Sequence, residues 1–193
     1  MNPQFAFLFF LFSTLTSLPQ AGPTPGSNPA TSMERKLEHL KTNSQLRHPY
    51  PAATVFTEEE INAYLASGKL KLPLGVQSVM FQEEPGIVTA TLTVDFDKLV
   101  DQRNVGNPWL SVFAGTHDVV GRANAHGSHG KGFVDVDAVS LDNVEIPRFV
   151  LQLFVDKYLR PRYPPAGLNS EFALPARIDT AVVGSHRLTL TQS

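Results

Sequence analysis

The stretch GRANAHGSHGKGFVDVDAVSL, residues 121 to 141, gathers two histidines, a lysine and several glycines, and its reading decides the fold. As a phosphate-binding loop it would make the chain a nucleotide-binding α/β protein. As a turn it makes an antiparallel sheet. A phosphate-binding loop needs G-x-x-x-x-G-K-[ST] opening a helix. Here Ala125 stands where the first glycine belongs, and Gly132 follows Lys131 where Ser or Thr is required. The residues that follow alternate, Phe133, Asp135 and Asp137 against Val134, Val136 and Ala138, which is strand periodicity. Glycines around His126 and His129 therefore mark a hairpin tip. These imidazoles, with His117 or His186, are raw material for a metal site. No HExxH or carboxylate pattern fixes a geometry for them, and no GxSxG elbow makes Ser128 and His129 part of a triad. No catalytic, metal or cofactor residue is assigned, and the chain is not expected to be an enzyme.

Upstream, IVTATLTVDF (residues 87 to 96) sets Val88, Ala90, Leu92, Val94 and Phe96 on one face, with Thr89, Thr91, Thr93 and Asp95 on the other. With VQSVMFQE before it and a Glu84-Pro85-Gly86 turn between, this reads as a hairpin with one buried face. A polar loop follows. An extended stretch then runs from Trp109 to about Ala125, with a bulge expected at Gly115.

FTEEEINAYLASG, residues 56 to 68, carries the clearest helix signal. Thr57 is a good N-cap with Glu60 completing a capping box, Phe56 and Ile61 occupy the staple positions, and Gly68 suits the C-terminal stop. Its glutamates, Glu58, Glu59 and Glu60, are read as charge on a solvated first turn at the positive end of the helix dipole.

Downstream, NVEIPRFVLQLFVDKYLRPRYPP predicts a helix opening at Pro147, whose polar stripe is only Arg148, Gln152, Asp156 and Arg160. A helix this apolar must be wrapped by sheet or meet lipid. The tail EFALPARIDTAVVGSHRLTLTQ reads as two strands joined near Gly184 and Ser185, with Ile178, Val182, Leu188 and Leu190 facing inward.

At the amino terminus the apolar run from Phe5 to about Leu18 is too short for a comfortable membrane span and suits a secretory signal over residues 1 to 21, cleaved near Ala21, the alternative being a short membrane anchor. Residues 22 to 54 are expected to form a Pro-rich linker holding a short helix around Met33, Leu37 and Leu40, with Thr31 and Glu34 as its capping box. Residues 55 to 193 form the single folded domain. A net charge of -2, with no basic run, excludes the electrostatic footprint of a nucleic-acid binder. With 0 cysteines there is neither a disulfide nor a thiolate site.

The expected fold is α+β, a curled antiparallel sheet of about six strands wrapped around a very apolar helix, with an N-terminal helix in front. The run FTEEEINAYL, the hairpin ending TVDFDKL, the segment VDVDAVSLDNVEIP leading into FVLQLF, and the closing LPARIDTAVVGSHRLTL carry a resemblance over about residues 55 to 190. In pattern and order they resemble bacterial exported proteins of the YceB/LmeA-like kind, related to the tubular lipid-binding (TULIP-like) superfamily. That resemblance implies a sheet around a helix with an apolar groove for an acyl chain, in a periplasmic or secreted protein of the cell envelope that touches the membrane peripherally.

On this reading the groove is lined by Trp109, Phe113, Phe149, Leu153 and Phe154, and the partner is a lipid or other hydrophobic ligand. The alternative is an envelope structural or interaction protein whose aromatics fill a solid core and which binds no ligand. The same residue types serve both.

Overall fold

A computed structural model describes residues 28–99, 113–161 and 167–193. In chain order the elements are α1 (Pro29–Ser44), β1 (Thr54–Thr57), α2 (Glu58–Ala66), β2 (Val76–Glu84), β3 (Ile87–Asp95), α3 (Phe96–Leu99), β4 (Thr116–Ser128), β5 (Lys131–Leu141), β6 (Val144–Glu145), α4 (Arg148–Phe154), a π-helical turn (Val155–Leu159), β7 (Asn169–Ala173), β8 (Ile178–Gly184) and β9 (Arg187–Gln192). The fold is α+β, as expected, and the sheet is antiparallel with nine strands. The strands beyond the expected count include β1, β6 and β7, of four, two and five residues, too short to show an alternating pattern of their own. The leader and Trp109 lie outside the described residues.

The histidine and glycine stretch is the tip of the β4–β5 hairpin. His129 and Gly130 both have positive φ, 52° and 73°, as a two-residue turn matched to strand twist requires. Gly127 and Gly132 sit opposite each other across the ladder. A Cβ on Gly132 would come within 2.4 Å of the Phe172 ring, and one on Gly127 within 2.7 Å of the Ala181 Cβ. These glycines exist so that β7 and β8 can lie close against the hairpin. His126 stacks on its cross-strand neighbour Phe133, with ring centroids 4.9 Å apart.

Strand β4 organises the sheet. One edge pairs with β5 along its length, while the other pairs with β3 from Thr116 to Asn124 and then with β8 at His126 and Gly127. The sheet therefore forks. Gly86, at the β2–β3 turn, closes the fork by accepting from Ala125 N–H and donating to the Val183 carbonyl.

Two cores form on the same face of this sheet. The alternating residues of β3 pass from one to the other: Val88 and Ala90 belong to the first, Leu92 and Val94 to the second. The first is covered by α1 and α2 through Met33, Leu37, Leu40, Ile61, Tyr64 and Leu65. The second is covered by α4 and the π-helical turn. Helix α1 is longer than the short helix expected within a linker, because Asn28 caps it and Pro29 opens it three residues before the expected start, and it packs in the domain.

Both helices of the first core also close sheet edges. Asn62 accepts from Phe81 N–H and donates to Phe81 C=O at 2.8 Å each, and Glu58 accepts from Glu83 N–H at 3.0 Å. Four residues on a helix span about 6 Å and two on a strand about 6.6 Å, so the side chains of α2 stand in for a neighbouring strand on β2. On β1, Lys36 donates to Val55 C=O, and Glu60 accepts from Thr57 N–H. The capping box at Thr57 and Glu60 is present, as the sequence leads one to expect. The solvated-turn reading of the glutamates fails for two of them: Glu60 is buried in an ion pair with Lys36 at 2.6 Å, and Glu58 is tied to β2. Val182 likewise faces solvent rather than the core, because a register shift between Ile178 and Thr180 turns Ala181 and Val183 inward.

Replacing Gly127 by valine is expected to cost about 1–3 kcal/mol through overpacking against Ala181 and Leu174. Urea unfolding of the variant against the native chain measures this, and an unchanged midpoint would contradict the packing role.

Candidate apolar ligand site

The second core is aromatic. Phe96, at the start of α3, lies 5.3 Å from Phe113 and 5.6 Å from Phe154, the latter edge-on, while Phe113 and Phe154 approach to 4.3 Å. Tyr158 continues the row at 5.3 Å from Phe154, one helical turn along. Offset and edge-to-face geometry of this kind adds roughly 0.5–1.5 kcal/mol per pair beyond burial. The Tyr158 hydroxyl is buried and has no hydrogen-bond partner among the described residues.

The cover over this core is weaker than that over the first. Helix α4 has seven residues, begins at Pro147 without a side-chain cap, and runs directly into five residues of π-helix. Such turns are rare and concentrate at functional sites. Val150, Leu151, Phe154, Val155 and Tyr158 face the sheet. Phe149 and Leu153, four apart on the helix, stay 52% and 38% exposed, and Val144 on β6 is 65% exposed. Among the described residues, the sheet lies against the inner side of this helix. Across the inner face, where the two cores meet, Val79, Ala90, Leu92, Val119, Val136 and Val139 are only half-buried. They form an apolar floor that neither helical cover closes completely.

Of the residues expected to line a groove, Phe113 and Phe154 are in direct contact within the core. Phe149 and Leu153 sit on the outer side of the same helix. Trp109 lies outside the described residues. Sequence reasoning did not assign Phe96, Tyr158 or the half-buried valines to the site. Phe96 carries a readable signal, since it ends the alternating run of β3, and Tyr158 falls four residues after Phe154.

Beside the aromatic cluster, His117 joins two turns. Its Nδ1 is 2.6 Å from Asp142 Oδ2 and its Nε2 2.7 Å from the Ala114 carbonyl. Both partners are acceptors, so only the imidazolium satisfies both. The Asp142 carboxylate, then the Ala114 carbonyl, raise the His117 pKa above its ordinary value. Among the described residues no group of three His, Asp or Glu side chains is arranged to hold a metal ion.

The chain is an α+β protein whose antiparallel sheet carries two hydrophobic cores, the second of them rich in aromatics. No family model, curated protein or solved structure shows a significant match to the chain.

Phe154→Ala is expected to destabilise the protein by about 3–5 kcal/mol, while Phe149→Ser costs about 1 kcal/mol or less, since half of that ring is already in water. Equal losses in thermal unfolding would contradict the assigned faces of α4. His117 titrates above the usual histidine range in the folded chain, so its contribution to stability is fully present below about pH 6.5 and is lost as pH rises through its folded value. Asp142→Asn should bring the NMR-monitored titration of His117 down, and an unaltered curve would dismiss the ion pair as its cause.

Proposed function

We propose that this chain is an exported cell-envelope protein that binds a lipid or another hydrophobic ligand, without catalysis, at the α4 end of its sheet. The observation that carries this reading is the half-buried apolar floor between the two cores, with Phe149 and Leu153 exposed on the adjoining helix. Burying each methylene of an acyl chain gains about 0.8 kcal/mol, so roughly ten of them offset the cost of association. The buried Tyr158 hydroxyl, without a partner among the described residues, suits the one polar group of an amphiphile. The resemblance to the YceB/LmeA-like exported proteins points the same way, as does the apolar run from Phe5 to about Leu18, read as a secretory signal.

A second reading has its own support. The 4.3 Å approach of Phe113 and Phe154 is the packing of a solid core, which fits an envelope interaction protein that uses Phe149 and Leu153 against a protein partner.

Native mass spectrometry of the chain purified from a bacterial envelope fraction, followed by solvent extraction, separates the two. The lipid reading expects a stoichiometric lipid adduct that Leu153→Asp removes while circular dichroism stays unchanged. A mass that remains that of the bare chain when phospholipids and fatty acids are supplied would overturn it in favour of the interaction protein.

A further inference from the structure

Away from the aromatic core, three titratable side chains meet where the two arms of the forked sheet touch. Glu83, near the end of β2, points to the inner face opposite Val88 and is 4% exposed. Its Oε2 is buried without a hydrogen-bond partner among the described residues. Glu58, at the start of α2, accepts from Glu83 N–H at 3.0 Å and lies 2.9 Å from His186 Nδ1. His186 sits in the β8–β9 turn, with a φ of 52°, and is mostly exposed. Its N–H donates to Glu83 C=O at 2.9 Å, and its own C=O accepts from Glu58 N–H at 3.0 Å. A few residues away, Gly86 donates to Val183 C=O. The β2–β3 hairpin, the β8–β9 hairpin and the first turn of α2 are thus knotted around one buried carboxyl.

We propose that this knot is a proton-controlled latch, in which a protonated Glu83 shares its proton with Glu58 and holds the two hairpins together, and loss of that proton parts them. Two carboxylates in contact at a buried site repel and lose hydration, so one of them keeps its proton. Glu58, the less buried of the two, has His186 Nδ1 and the Glu83 N–H to support its charge, whereas Glu83 Oε2 has no hydrogen-bond partner among the described residues. The groups that face the Glu83 carboxyl are Glu58 from α2 and His186 from the β8–β9 turn; β3 presents Val88, and Glu84 turns to the other face toward Arg122. Arg187, next in the turn, lies against Gly184.

Burial first, and Glu58 second, push the Glu83 pKa up to about 7 from an ordinary 4.5. A carboxyl raised in this way contributes stability that is fully present below about pH 4.5 and is lost as pH rises through about 7. Ionisation would break the Glu58–Glu83 pairing and strand a charge between the hairpins. The turn bonds from His186 N–H to Glu83 and from Gly86 N–H to Val183 would open with it.

Amide hydrogen exchange of Gly86 and His186 in the full chain, read from pH 5 to pH 8 and corrected for the intrinsic rate, tests the latch. Protection at these two amides should fall roughly fifty-fold across that range, while the amides of Leu37 and Leu40 in α1 change little. In Glu83→Gln, which keeps the shape without the titration, the extra pH dependence should vanish. Flat corrected protection in the native chain, or a pH dependence that survives Glu83→Gln, would overturn the proposal. Carbon-detected NMR titration of Glu83 in the native chain decides the matter should the variant not fold: a carboxyl titrating near 4.5 refutes the latch, and one titrating near neutrality with loosening of His186 supports it.

Discussion

Everything in this structure answers to one apolar face that is longer than any single helix can cover. Val88, Ala90, Leu92 and Val94 of β3, continued across β4 and β5, form an unbroken hydrophobic surface that water must not see in full. Helix α1 has sixteen residues and leans on α2, and this pair seals only the end where β8 and β9 join the sheet. The other end is left to α4, a seven-residue helix lengthened by a π-helical turn. The two covers differ in kind. The first is locked by a capping box, a part-buried ion pair and side chains that finish two strand edges, whereas the second starts at a proline without a side-chain cap and keeps Phe149 and Leu153 partly exposed.

The titratable groups sharpen the contrast. Glu83 and His117 lie in different parts of the sheet, yet both lose their stabilising contribution as pH rises, the first between about 4.5 and 7 and the second above about 6.5. Glu58, Glu60, Asp95 and Asp142 are held below the ordinary carboxylate range, so their contributions are lost only at low pH. Glu83 and His117 both sit at joints between elements, where a hairpin meets a helix or a turn meets a strand.

Local rules made much of this readable from residue order. The capping box at Thr57, the strand alternation after Gly132 and the Pro85–Gly86 turn each depend on neighbours in sequence, and each is present. What stayed hidden depends on partners far along the chain. Glu58 and Glu60 look like surface charge until β2 and α1 arrive to bind them. The phase of β8 is set by a register shift against β9, so Val182 reads as inward from its spacing and faces outward in the sheet. The site shows the same division. An apolar helix was visible, but which of its aromatics meet Phe96 and Phe113, and which remain in water, is decided by how α4 is laid on the sheet.

We propose that the α4 end of the sheet receives an acyl chain. Intermolecular NOEs from a carbon-13-labelled long-chain fatty acid to the protein test it most directly. Contacts are expected from the chain methylenes to Phe149, Leu153 and the half-buried Leu92 and Val119, with none to Met33 or Leu37 beneath the first cover. A bound fatty acid whose contacts fall elsewhere, or no NOE at saturating ligand, would contradict it.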